Sequence, residues 1–430
     1  MTDFFSLGLA PRLVDRLTEL GLTDPTPIQT RAIPLALEGR DVMGLAQTGT
    51  GKTAAFGLPM VQLLTESGKG KPAPKTLRGL VLAPTRELAK QIMENLEAYI
   101  KGTQLSTTLV VGGKSLHMQA KRMARGCDIL VATPGRLLDL LARGDILLDK
   151  CEFLVLDEAD QMLDLGFIHD LRKIAQMVPA GRQTLLFSAT MPKLMNEVAA
   201  GFLNNPERVQ VSPPGKAADK ITQSVHFIAK AGKTDLLIEL LDAHREELAL
   251  VFSRTKHGAE KLRKTLEKAG FASESIHGNK SQNQRDRALV AFRSRKARVL
   301  VATDVAARGI DIPDVRFVYN YDLPNVPENY VHRIGRTARA GAEGQAVAFC
   351  APDEAPYLRD IQKIMKMDIP VASGTAWAGV AAPSGRPQGP SRKGGGYGKS
   401  GAGKPGGGNN RRRNRGGRSG GAKSGPRAAA

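Results

Sequence analysis

The residues best suited to chemistry fall in two short runs. Ala46-Gln47-Thr48-Gly49-Thr50-Gly51-Lys52-Thr53 follows an apolar stretch and leads into a helix-forming one. Glycines at such positions let backbone N–H groups curl around phosphate oxygens, and a helix N-terminus adds positive potential. Lys52 is then placed to reach the β- and γ-phosphates of a nucleotide, and the Thr53 hydroxyl to bind Mg2+. The strict form of this loop opens on glycine, where Ala46 stands here. The plainer alternative is a glycine-rich turn with an exposed lysine.

The second run begins 105 residues after Lys52, where Phe153-Leu154-Val155-Leu156 leads into Asp157-Glu158-Ala159-Asp160. Carboxylates at the C-terminal end of a strand lie where open α/β sheets bind ligands. Asp157 suits a Mg2+ ion held through water, and Glu158 suits orienting and deprotonating an attacking water. An acidic helix start capped by Asp157 would need no nucleotide. The presence of the phosphate loop favours the nucleotide reading.

Short apolar runs predict strands at 41–46, 79–83, 128–132, 153–156 and 184–187, then at 221–228, 248–252, 273–277, 298–302, 316–319 and 345–349. Helical spacing between them, as at 87–101 and 256–269, predicts α/β lobes with parallel sheets. Ser212-Pro213-Pro214-Gly215-Lys216 separates the two series and reads as a linker over 213–220. The resulting division is an N-terminal region at 1–30, a first lobe at 31–212, a second at 221–370 and a tail at 371–430.

The 430 residues carry a net charge of +20, and 41% are hydrophobic, enough for cores in most of the chain. Twelve of the excess positive charges lie in 371–430, which has no acidic residue and holds 18 of the 46 glycines. Such a composition cannot offset its ordering entropy and predicts disorder. The arginine-rich run 411–418 suits a flexible polyanion-binding arm, with a solubilising tail as the alternative. Trp377 and Tyr397 could stack on bases, but only 5% of the chain is aromatic. Cys127, Cys151 and Cys350 have no paired spacing, which excludes a disulfide framework and points to a reducing, cytoplasmic setting. No apolar run approaches the ~18–20 residues of a membrane span, and the N-terminus does not resemble a signal peptide.

With these motifs in order, the sequence resembles the DEAD-box RNA helicases, a family of the second helicase superfamily, and is most similar to the bacterial RhlE-type members. The resemblance covers about residues 4–370 and implies two tandem recombinase-like (P-loop NTPase) lobes. Gly21-Leu22-Thr23-Asp24-Pro25-Thr26-Pro27-Ile28-Gln29 resembles the family's adenine-reading motif. By resemblance Gln29 reads the adenine edge, Phe4 is the upstream aromatic, and Leu22 replaces a usual aromatic. Pro84-Thr85-Arg86-Glu87-Leu88, Gly112-Gly113 and Thr133-Pro134-Gly135-Arg136 resemble the first lobe's RNA-backbone motifs. Ser188-Ala189-Thr190, with Asp160, resembles the element coupling hydrolysis to strand separation.

In the second lobe, resemblance makes Arg254 and Thr303 face RNA and Asp311 contact the ATP ribose. Gln282–Arg285 is a further matching motif. Arg336 and Arg339 match arginine fingers, and His332 bridges towards the first lobe. Guanidiniums suit a transition state that spreads negative charge over γ-phosphoryl oxygens. Read alone, Arg333, Arg336 and Arg339 could instead share a solvated helix face. Ala338 stands where the family usually has glycine, and Asn279 where aspartate is common. The resemblance implies an RNA-stimulated ATPase, probing A-form backbone and 2′-hydroxyls with little sequence specificity, that closes two lobes to melt short duplexes or remodel ribonucleoprotein. It also implies ATP and Mg2+ as ligands, structured or duplex RNA as partner, and a place in ribosome assembly or RNA decay. No dimer signature is visible, so a monomer is expected.

Overall fold

The computed structural model describes residues 3–46, 49–211, 221–307, 312, 314–338 and 343–377. Apolar runs become strands because they are covered on both faces. Phe153–Leu156 and Leu248–Phe252 are buried at every position. Two seven-stranded sheets result, and every strand pair is parallel.

The first sheet contains β1 (Val42–Leu45), β2 (Leu77–Leu82), β3 (Thr107–Val110), β4 (Cys127–Ala132), β5 (Phe153–Leu156), β6 (Gln183–Ser188) and β7 (Glu207–Gln210). The second contains β8 (Ile221–Phe227), β9 (Leu248–Phe252), β10 (Ser273–Ile276), β11 (Val299–Ala302), β12 (Val315–Asn320), β13 (Gly344–Cys350) and β14 (Val371–Ser373). The orders are β3-β4-β2-β5-β6-β1-β7 and β10-β11-β9-β12-β13-β8-β14. Numbered from its own first strand, the second sheet repeats the first.

Alternate residues feed opposite faces, as the period of two requires. Val81, Val131, Val155 and Phe187 join one core, with the helices Pro27–Leu37, Lys52–Glu66 and Arg86–Ile100. Leu80, Leu130, Leu154 and Leu186 join the core on the other face. In the second sheet Val251, Val301 and Tyr319 face one way, and Leu250, Leu300 and Val318 the other. Among the described residues no helix is long and apolar enough to cross a membrane.

Three strands escape the apolar-run reading: β3, β7 and β14, all at sheet edges. β14 also corrects the tail boundary. Val371–Ser373 pairs with β8, Val225 N–H donates to Pro370 O at 2.9 Å, and Trp377 Nε1 donates to Cys350 O at 3.0 Å. The ordered lobe therefore runs past 370, and Trp377 packs on it, because β8 offers an unpaired edge. The linker at 213–220 and the arginine run at 411–418 lie outside the described residues.

Candidate nucleotide and RNA site

A parallel sheet places all its strand C-termini on one edge, where ligands bind. The chemistry-bearing loops of the first lobe follow β1, β2, β3, β4, β5 and β6. The phosphate loop and the acidic run follow β1 and β5, which flank β6. The motifs expected to meet RNA follow β2, β3 and β4, on the other part of the sheet.

After β1, Gly49 and Gly51 adopt left-handed φ values of 80° and 86°, open to glycine at little cost. At Gly51 a Cβ would also lie 2.4 Å from Gln29 Nε2. That amide donates to Gly51 O at 3.0 Å, while Gln29 Oε1 accepts Thr26 N–H at 2.8 Å and Thr26 Oγ1 donates to Thr50 O at 2.8 Å. Gln29 thus braces the loop. Lys52 opens the following helix and is 6% exposed. Its Nζ has no hydrogen-bond partner and stands 3.8 Å from Asp157 Oδ1. A buried ammonium without a hydrogen-bonding partner fits an anionic ligand such as a phosphate. Ala46, in place of the usual first glycine, is buried, and its N–H donates to Ser188 O at 3.0 Å.

At the end of β5, Asp157 and Glu158 are 2% and 4% exposed. Glu158 takes a left-handed φ of 50°, strained for a residue with a Cβ. Its N–H donates to Asp157 Oδ1 at 2.9 Å, and its Oε2 has no partner. Burial pushes both carboxyls up, Lys52 opposes this at each, and Arg336 opposes it further at Glu158. Asp160 Oδ2 accepts three bonds, from Ala189 N (3.1 Å), Thr190 N (2.8 Å) and Thr190 Oγ1 (2.9 Å). Asp160 N–H donates to Ser188 Oγ at 3.3 Å. The acidic run and Ser188-Ala189-Thr190 are one bonded unit.

The second lobe closes this cleft. Arg336, 5% exposed, lines it together with Gly49, Gly51, Lys52, Thr53, Asp157 and Glu158. Arg336 Nε donates to His332 O at 3.3 Å. His332 is half-buried, facing Asp160, Glu158 and Asp164, and desolvation lowers its pKa. Arg333 is 2% exposed, forked onto Asp304 at 2.5 and 2.8 Å and bonded to Asn320 Oδ1 and Asp322 O at 3.0 and 2.7 Å. A solvated helix face is thereby excluded for Arg333 and Arg336. Ala338 holds a φ of 55°, the left-handed turn that glycine would take more readily. Arg339, Asp311, Gln47 and Thr48 lie outside the described residues.

Two expected adenine contacts separate. Leu22 lines the cleft. Phe4 is 3% exposed, a member of the first lobe's apolar core along with Leu7 and Leu9, and does not line the cleft. Leu88, Gln91, Asn95 and Tyr99 line the cleft as well, all from the helix Arg86–Ile100; Leu88 ends the motif that starts at Pro84, and the other three belong to no motif.

The residues expected to meet RNA also have structural duties. Pro84 is buried, and Thr85 caps the helix Arg86–Ile100 by accepting Leu88 N–H at 3.2 Å. Gly112 and Gly113 cradle the Arg86 guanidinium, since a Cβ at Gly113 would lie 2.2 Å from Arg86 Nη1. Thr133 is buried just before the helix Pro134–Ala142, in which Gly135 lies. Arg136 Nη1 donates to the carbonyls of Val111 and Lys114 at 3.2 and 2.8 Å. In the second lobe, Arg254 is partly exposed, and Thr303 N–H donates to Ile276 O at 3.2 Å.

A direct bond set joins the lobes. Arg86 Nη1 donates to Gln282 Oε1 (3.0 Å), Gln282 Nε2 to Glu87 Oε1 (3.1 Å), and Arg285 pairs with Glu87 (3.1 Å). Gln282–Arg285 and Glu87 thus belong to two motifs of different lobes that meet here.

Tandem parallel sheets, a glycine-braced lysine in the first and an arginine from the second in one cleft define a two-lobed P-loop nucleotide hydrolase. The chain belongs to the DEAD/DEAH box helicase family, whose pattern matches residues 26–198, with a helicase conserved C-terminal domain at 232–341. It is 44% identical over 377 residues to the ATP-dependent RNA helicase CshA of Listeria monocytogenes, covering 88% of this chain and 71% of that one. It is 46% identical to the DEAD-box ATP-dependent RNA helicase CshA of Streptococcus pneumoniae, covering 84% and 68%. Among solved structures it resembles S. cerevisiae Dbp5 bound to RNA and ADP BeF3, with TM-score 0.78, 34% identity and coverage of 87% and 96%. It also resembles Mss116p bound to ssRNA and AMP-PNP, with TM-score 0.79, 30% identity and coverage of 87% and 80%.

Proposed function

We infer that this chain is an ATP-dependent RNA helicase that hydrolyses ATP while its two lobes are closed on RNA, locally unwinding short duplexes or remodelling ribonucleoprotein. The observation that carries the reading is Arg336 in the same cleft as Lys52 and Glu158. Lys52 and the N–H groups of the glycine loop hold the phosphates. Glu158, with an unpartnered oxygen and a carboxyl raised by burial, orients the attacking water and takes its proton. Arg336, and by family resemblance Arg339, stabilise the charge that builds on the γ-phosphoryl oxygens. Gln29 and Leu22 meet the base, and Asp311 the ribose.

The acidic Asp157 and the Thr53 hydroxyl fit a hard cation and would hold Mg2+. When bound, that ion neutralises charge on the β- and γ-phosphate oxygens. Asp160, Ser188 and Thr190 transmit closure from the cleft, with His332 facing Asp160 from the other lobe. Arg86, Gly113, Gly135, Arg136, Arg254 and Thr303 form the RNA side, with Pro84, Thr85 and Thr133 shaping their loops. ATP and RNA each favour the closed lobes, so each tightens the other. The three cysteines are free and buried, which suits a reducing compartment such as the cytoplasm. The finer placement among RhlE-type helicases rests on the motifs alone, as do ribosomal precursors or decay proteins as partners.

Strand displacement by wild type and Glu158→Gln on matched RNA and DNA duplexes tests the reading. Wild type should separate short RNA duplexes with ATP, and Glu158→Gln should bind ATP and RNA yet turn over ~10²–10⁴-fold more slowly. Equal stimulation by single-stranded DNA would favour a DNA translocase instead.

A further inference from the structure

The second lobe carries its own glycine–lysine–threonine sequence in the place of the phosphate loop. Gly232-Lys233-Thr234 follows β8, the counterpart of β1. Lys233 Nζ stands 3.7 Å from Asp322 at the end of β12, the counterpart of β5, much as Lys52 stands 3.8 Å from Asp157. The loop itself differs. Lys230–Gly232 is a 3-10 turn, and Gly232 has a right-handed φ of −85°, so no nest of N–H groups forms. Lys233, 1% exposed, donates to Glu354 Oε2 at 2.5 Å and to Tyr321 O at 2.6 Å.

Glu354 is itself 1% exposed and fully used. Its Oε2 also accepts Ala351 N–H at 3.0 Å, and its Oε1 accepts Leu323 N–H at 3.1 Å and Arg254 Nη2 at 2.6 Å. Asp322 Oδ2 takes Arg254 N–H at 2.8 Å and Ser253 Oγ at 3.1 Å. The Arg254 guanidinium lies 5.3 Å from the centre of the Tyr357 ring, and its side chain is 30% exposed. Arg254 is thus anchored at one end by a buried carboxylate and open to solvent at the other.

We propose that Glu354 is a positioning residue for RNA: its carboxylate neutralises the lysine of the second lobe's closed loop and, through its other oxygen, fixes the Arg254 guanidinium on the RNA-facing edge. This deepens the reading of Arg254 as an RNA contact and rests on it. A guanidinium held at a fixed angle loses less side-chain entropy on meeting a phosphate. The loop that binds nucleotide in one lobe is turned, in the other, to holding an RNA-binding side chain.

The test uses the full chain. Lys233→Met with Glu354→Met removes the charges together, so no buried ammonium is stranded. The RNA concentration for half-maximal ATPase should rise about tenfold, the scale of one charge-assisted hydrogen bond. The salt dependence of single-strand binding should flatten by about 0.7 in log–log slope, one phosphate contact. RNA-independent ATPase and the KM for ATP should not move. Arg254→Ala should give the same shift, and adding it to the double variant should give no more. If Arg254→Ala weakens RNA and the double variant does not, Glu354 does not position it and the proposal fails. If Arg254→Ala leaves RNA half-saturation unchanged, the RNA-facing reading of Arg254 fails first and the proposal with it. Should the double variant melt below the assay temperature, Glu354→Gln carries the same test, with normal RNA half-saturation overturning the proposal.

Discussion

The two lobes share one strand order and end in opposite electrostatic states. In the first, Lys52 is buried without a hydrogen-bond partner and Glu158 keeps an unpartnered oxygen on a strained backbone. In the second, Lys233 and Glu354 are equally buried and each is bonded to the other. Topology therefore does not make a nucleotide site. Polar groups left without partners do, at a cost in stability that a ligand offsets when it binds. The second lobe, whose buried lysine is paired with Glu354, differs in sending Arg336 into the cleft of the first.

The contrast can be broken most directly by deleting each lysine in turn. Lys233→Met removes one of the two cationic partners of the buried Glu354, leaving Arg254, and should cost about 3 kcal/mol in urea melts. Lys52→Met should move stability far less while abolishing ATP binding. Equal losses from the two would erase the distinction between the lobes. Next in size is the bond set between them. Arg285→Ala removes the ion-pair partner of Glu87, leaving the Gln282 bond, and should weaken RNA-stimulated turnover about tenfold, a coupling free energy within 1–3 kcal/mol. Exchanging the pair, as Glu87→Arg with Arg285→Glu, should recover part of the loss if the ion pair is what counts.

Smaller effects sharpen the picture of the second lobe. Ala338→Gly relieves a left-handed φ and should raise stability by about 1 kcal/mol in thermal or urea melts. His332 gives the weakest signal. Burial disfavours its imidazolium, so the folded pKa lies below the ordinary 6.5, with Arg336 adding to the shift and Asp160, Glu158 and Asp164 opposing it. Its stabilising contribution is then whole above pH 6.5 and is lost as pH falls through the folded value. Melting curves of wild type should decline in that window, and His332→Gln should decline less.

Much of this was legible in the chain because central parallel strands are continuous apolar runs and phosphate loops are contiguous. Leu154-Val155-Leu156 and Gly49-Thr50-Gly51-Lys52 announce themselves. The edge strands did not. Thr107-Thr108-Leu109-Val110, Glu207-Arg208-Val209-Gln210 and Val371-Ala372-Ser373 are held by a neighbour's unpaired edge more than by their own burial. Partners distant in sequence were equally hidden. Glu354 meets Lys233 across 121 positions, and Glu87 meets Gln282 across 195. Arg333, which spacing allowed on a solvated face, is buried because Asp304, 29 residues away, accepts its guanidinium. Phe4, at a family position, lies in the first lobe's apolar core.

The central claim is that catalysis needs a group from each lobe in one cleft. Arg336→Ala in the full chain, assayed for RNA-stimulated ATP hydrolysis at saturating ATP, measures it. Turnover should fall by about 10³-fold or more with ATP binding retained. A loss of less than about threefold would make Arg336 a bystander and return the whole reaction to the first lobe.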